Sequence, residues 1–147
     1  MKSILILLAV VSGAVLPIQA ALNGKMGKAV GDPIYAALIS FVVGSIGLLA
    51  YVIVSETQLS SITEATSVNW TVWLAGILGA FYVACVMILA PKLGVALTFG
   101  LVVTGQLGIS LILDHFGLIG IPVREINWQK ILGMAFIIAG VVIIRKF

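Results

Sequence analysis

Apolar residues in this chain come in long, nearly uninterrupted runs, without the alternating faces of a soluble strand or amphipathic helix. Five runs approach the roughly 20 residues a helix needs to cross a bilayer. They cover about 3–22, 34–54, 70–89, 95–113 and 131–144. The last is short, but Trp128 and Lys146 can anchor its ends at the two interfaces. Polar or helix-breaking segments separate the runs: Gly31-Asp32-Pro33, the stretch 55–69, Pro91-Lys92 and the stretch 114–127. The pattern predicts an all-α fold, an integral membrane bundle of five transmembrane helices forming a single domain over 1–147.

Composition sharpens this. The hydrophobic share is 62%, against eight basic and five acidic residues. So few charges cannot cover the outside of a soluble domain. The net charge of +3 does not indicate nucleic acid, because the basic residues stand singly or in pairs at the ends of apolar runs. That placement is expected of topology determinants. Lys2 and the first run resemble a secretory signal, but 3–22 is too long for an ordinary signal core and four more runs follow. It is read as a retained first helix. Cys85 lies within a run and is read as packing. Asn69-Trp70-Thr71 matches a glycosylation acceptor by pattern alone, against the membrane edge.

An odd number of spans puts the termini on opposite sides. The Met1 side carries Lys2, Arg124 and Lys130 with Glu56, Glu64, Asp114 and Glu125. The other side carries Lys25, Lys28, Lys92, Arg145 and Lys146, opposed by Asp32 alone. Basic residues in short loops favour the cytoplasm, so the C-terminus is expected there. Tyr51, Trp70, Trp73 and Trp128 fall at the membrane edge on the Met1 side, where amphipathic rings settle.

Within the runs, small residues recur at helical spacing. Ala36, Ser40 and Gly44 form a stripe on the second helix, Gly76 and Gly79 lie on the third, and Gly100, Gly105 and Gly108 on the fourth; Gly133 and Gly140 lie on the fifth. In lipid, close backbone approach through small residues carries helix association. Gly44, Gly76, Gly79, Gly105 and Gly108 are therefore candidates for helix packing.

Polar groups inside the spans are candidates for function. Gln19 and Asn23 are four apart and share a face. Their amides suit a polar solute, or a bond to a neighbouring helix; Pro17 on the same helix is expected to bend it. On the fourth helix Thr98, Val102, Gln106, Ser110 and Asp114 follow at four-residue steps, a stripe that reads as the lining of a narrow path or as a helix contact. Asp114-His115 can exchange protons near the interface, or can simply close the helix there. No hydrolytic triad, metal cluster or phosphate-binding glycine loop is found. Neither an enzyme nor a cofactor is expected.

The ordered set Gly76-Ile77-Leu78-Gly79-Ala80-Phe81-Tyr82-Val83, Ala90-Pro91-Lys92-Leu93-Gly94, Gly105-Gln106-Leu107 and Asp114-His115-Phe116-Gly117-Leu118 resembles the YdcZ-type family of bacterial inner-membrane proteins. Gln19, Asn23, Gly27 and Gly44 fit as well, so the resemblance spans essentially the whole chain. It implies membership of the drug/metabolite transporter superfamily, whose five-helix units pair as inverted halves. It further implies a transporter or exporter subunit in the inner membrane, moving a small solute by alternating access in an antiparallel homodimer or heterodimer. The path would use Gln19, Asn23, Gln106 and Ser110, with Asp114 and His115 for proton coupling. The alternative is a non-transporting membrane subunit acting as an assembly or regulatory partner. One departure matters: the small multidrug resistance relatives carry an acidic residue in the first helix, and this first helix has none. Cation–proton exchange by that mechanism is not implied.

Overall fold

A computed structural model describes residues 2–55, 64 and 66–147. Glu56, assigned above to the Met1 side, lies outside the described residues. Among those residues the chain is helical with no strand: α1 (Lys2–Val30), α2 (Pro33–Val54), α3 (Leu74–Leu93), α4 (Val95–Phe116) and α5 (Trp128–Lys146). A 3-10 turn, Trp70–Trp73, leads into α3, so that five segments are long and apolar enough to span a membrane. Their outward surfaces are apolar: Val54 is 81% exposed, Leu48 70% and Phe136 69%. Such surfaces need lipid around them, and a helix satisfies its backbone polar groups there within a single segment. The chain is an all-helical membrane protein.

The chain divides into two compact units, Met1–Pro91 and Lys92–Phe147. In the first, α1 and α2 form an antiparallel hairpin. Helix α1 outlasts its apolar run and passes Lys25 and Lys28 before ending at Val30. Gly31, at φ +80°, makes the turn in a conformation that an L side chain disfavours. Asp32 then caps α2, its Oδ1 accepting the Ile34 N–H at 2.6 Å, and Pro33 takes the first helical position, where a missing N–H costs nothing. The hairpin closes tightly because Gly27 has no side chain. A Cβ built there would lie 3.5 Å from the Pro33 Cα and 3.8 Å from the Ala36 Cβ. Helix α3 packs Met87 and Val83 against Ala36 and Ala37 of α2.

Asn69, the residue of the glycosylation-like triplet, is the cap of the turn before α3: its Oδ1 accepts from Thr71 N at 3.0 Å and from Thr71 Oγ1 at 3.1 Å. Pro91, read from the sequence as a breaker, lies inside the last turn of α3. The break comes at Gly94, whose φ of +86° and ψ of 149° cannot continue a helix.

In the second unit α4 and α5 pack through Gly100 and Val141, and through Gly108 and Met134. Gly117, at φ +61°, caps α4 in the left-handed conformation. The extended stretch before α5 is tied back to the end of α4. Arg124 donates its N–H to the Asp114 carbonyl at 2.7 Å, and Ile126 donates to His115 Nδ1 at 3.2 Å. Lys130 Nζ donates to the carbonyls of Arg124 and Glu125 at 3.2 and 3.0 Å. Asn127 then caps α5 by accepting the Lys130 N–H at 2.9 Å.

Candidate functional site

Within the first unit, a groove of about 230 Å³ runs between α1 and α2. Gln19 lines it from α1; Ser40, Phe41, Gly44, Ser45 and Leu48 line it from α2. Its position follows from the hairpin register. Gly27 meets Ala36, and one further turn on each antiparallel helix sets Asn23 level with Ser40, and Gln19 level with Gly44. Small groups at Ser40 and Gly44 leave room where larger side chains would close the space.

The polar atoms here are poorly engaged. Asn23, one helical turn from Gln19 and outside the groove's lining, is only 9% exposed, and its Nδ2 is buried with no hydrogen-bond partner. Buried amides without partners are rare and costly, which singles this one out. Elsewhere, hydroxyls on these helices bond back to the carbonyl one turn earlier: Ser12 to Leu8 at 2.8 Å, Thr98 to Gly94 at 2.7 Å and Thr104 to Gly100 at 2.8 Å. Among the described residues, Ser40 and Ser45 form no such bond. On α3, Tyr82 Oη is a second buried atom without a partner.

The other expected site residues belong to the second unit. Gln106 and Ser110 are exposed on α4, whereas Asp114 and His115 are half-buried near its end. Thr98, at the start of the four-step stripe, is 1% exposed and its hydroxyl is spent on the helix backbone. His115 holds the loop amide of Ile126 and meets the Phe116 ring edge-on at 4.8 Å. Among the expected packing glycines, a Cβ on Gly108 would meet Met134 Cε at 3.5 Å and one on Gly79 would meet the Phe41 ring at 3.9 Å. At Gly44, Gly76 and Gly105 it would meet nothing within 4 Å. Among the described residues, no three His, Cys, Asp or Glu side chains are grouped to hold a metal ion.

The sequence pattern singles out Gln19 and Asn23, reads Ser40 and Gly44 as packing, and gives Ser45, Phe41 and Tyr82 no role at a site. Two hydroxyls five apart on an otherwise apolar helix were the available signal.

Five helices long and apolar enough to cross a membrane, among the described residues, define a multi-pass membrane protein. Residues 4–143 match the family described as "Putative inner membrane exporter, YdcZ", and the chain belongs to that family. No curated protein and no solved structure matches it.

Proposed function

We propose that this chain, one five-helix unit, is the subunit of an inner-membrane exporter that moves a small solute by alternating access in an antiparallel pair, one copy with its C-terminus in the cytoplasm and the other inverted. The observation that carries the reading is the α1/α2 groove, with Gln19 on its wall and the unpartnered Asn23 amide one turn away. Membership of an exporter family supports it. The path takes Gln19 and Asn23 from one copy and the α4 stripe of Gln106 and Ser110 from the inverted copy, where Asp114 and His115 move protons. Repeats of opposite orientation around a shared path are an established route to alternating access. Gly76, where a Cβ would meet nothing within 4 Å, supplies a flat surface for the partner.

The test compares extracellular metabolites from cells with and without the chain, then repeats the transport of any hit in proteoliposomes carrying Gln106→Ala. A solute that accumulates outside only with the intact chain, and is no longer moved by a folded, dimeric Gln106→Ala, supports the exporter. No exported solute from a folded, dimeric protein, or loss of the dimer in place of transport, overturns it.

A further inference from the structure

Helix α1 does not end with its apolar run at Leu22 but continues to Val30. At about 1.5 Å per residue, Lys25 stands about 4.5 Å and Lys28 about 9 Å past Leu22 along the axis. The headgroup layer on each side of the hydrocarbon is about 5–8 Å thick. Both ammonium groups, on long stems that bend toward the polar layer, therefore reach the level of the lipid phosphates. Gly27, packed on Pro33 and Ala36, keeps this part of α1 against α2. The lysines thus project from a held helix and not from a loop.

Their direction follows from the helical repeat. Ala20 and Asn23 are buried, and Gly27 meets α2. Lys25 lies on the side of α1 opposite those three, and Lys28 lies three positions on, next to it. Both are exposed, and among the described residues neither ammonium group has a partner. Asp32, the one acidic residue in the α1–α2 turn, has its Oδ1 engaged by the Ile34 N–H. Two neighbouring like charges repel, and nothing among the described residues offsets them. Below Lys25 on the same side, Leu22 and Ile18 are 59% and 60% exposed. One strip of α1 is therefore apolar within the hydrocarbon and cationic at phosphate depth. A free anion would use only the upper end of this strip. A phospholipid with a net negative headgroup matches both ends.

We infer that this outer strip of α1 seats an anionic phospholipid, with the Lys25 and Lys28 ammonium groups on its phosphate and Leu22 and Ile18 along its acyl chains. A zwitterionic lipid offers the same chains, but its own cationic group competes with the lysines for the phosphate. The contact lies on the side of α1 turned away from α2 and does not depend on the exporter reading.

The test is native mass spectrometry of the full chain in detergent, titrated with dimyristoyl phosphatidylglycerol and, separately, with dimyristoyl phosphatidylcholine. Wild type is expected to hold phosphatidylglycerol at concentrations where phosphatidylcholine adds little. Lys25→Gln and Lys28→Gln should each weaken phosphatidylglycerol binding about fivefold, and the two together about tenfold or more. Lys25→Arg with Lys28→Arg should keep it. The single variants test the inference even where the double variant does not fold. Arg145→Gln with Lys146→Gln, at the end of α5, removes the same charge elsewhere and should leave the affinity nearly unchanged. Equal affinity of wild type for the two lipids overturns the inference, because the acyl chains alone would then be bound. An equal loss in the α5 variant overturns it too, because binding would then follow total charge. So does displacement of phosphatidylglycerol by inorganic phosphate at the same concentration, which would make the lysine pair a site for a free anion.

Discussion

A Cβ built on Gly100 of α4 would lie 3.0 Å from Val141 Cγ2 of α5. That is closer than ordinary van der Waals contact, and Val141 is itself only 8% exposed. The two helices therefore meet through a glycine on one side and a β-branched side chain on the other. Gly100→Leu should lower stability by about 1–3 kcal/mol, the usual result of overpacking a closed contact. Val141→Ala in the same chain should restore part of it, since the two sites share one volume. Gly105→Leu is the control: its Cβ meets nothing within 4 Å, and helix propensity alone should make it neutral or stabilising by up to about 1 kcal/mol. Thermal unfolding of wild type and the three variants checks the order; equal losses at the two glycines would contradict the packing described.

Gly117 and Gly31 both have positive φ, at +61° and +80°, but their surroundings differ. A Cβ on Gly117 would fall 2.7 Å from Val123 Cγ2 and 3.2 Å from the Ile121 carbonyl, whereas one on Gly31 would meet nothing within 4 Å. Gly31→Ala should cost only the left-handed conformation, about 1–2 kcal/mol. Gly117→Ala should cost that and a displacement of the loop that follows α4. Unfolding midpoints should rank wild type above Gly31→Ala, and Gly31→Ala above Gly117→Ala.

These contacts also show where the sequence stops being informative. Uniform apolar runs make the five helices legible, because no other local structure satisfies the backbone in lipid. The ends are less so. Lys25 and Lys28 argue for leaving the membrane near Leu22, but a helix does not stop where its apolar run stops, and Gly27 packing on Pro33 and Ala36 carries α1 to Val30. Pro91 reads as a breaker, yet α3 runs past it to Leu93 at the loss of one backbone hydrogen bond, and the positive φ of Gly94 ends the helix. For the groove, Gln19 and Asn23 stand out as amides in an apolar helix. Ser40 and Ser45 do not, since serines also pack helices, and only the register between α1 and α2 shows which hydroxyls face a space. The same limit applied to His115, whose bond to Ile126 depends on how a stretch of ten residues folds back.

That bond yields a third prediction. His115 Nδ1 accepts the Ile126 N–H at 3.2 Å, so the ring acts as an acceptor that holds the loop to α4. His115→Asn can place an amide oxygen near the same position, while His115→Phe keeps a ring and loses the acceptor. Hydrogen exchange at the Ile126 amide should quicken in His115→Phe, with a stability loss of about 0.5–1.5 kcal/mol. His115→Asn should stay near wild type on both counts. If both variants exchange alike and still export solute normally, the residue neither holds the loop nor moves protons. If both hold the loop but only wild type exports, the imidazole has a role in transport beyond the tether.

The inverted pair makes the most direct prediction about assembly. Lys25 and Lys130 lie on opposite membrane faces in the proposed topology, so cysteines at these two positions meet between copies only if the copies are antiparallel. Two single-cysteine chains, Lys25→Cys and Lys130→Cys, each with Cys85→Ala to remove the native thiol, are co-expressed and treated with a short bifunctional maleimide in intact membranes. An antiparallel pair should give the mixed 25–130 product. A parallel pair places Lys25 beside Lys25 and should give only like-with-like products. Because the basic residues divide five to three between the two faces, the charge bias toward one orientation is weak. Adding two lysines to the Met1 side should remove that bias, while adding them to the opposite side should fix a single orientation. In the second case the mixed product should fall along with export, because every copy then inserts the same way and no inverted partner remains. Mixed product that persists under a fixed orientation would mean that the 25–130 contact does not come from an inverted pair, and the shared path between opposed copies would have to be abandoned.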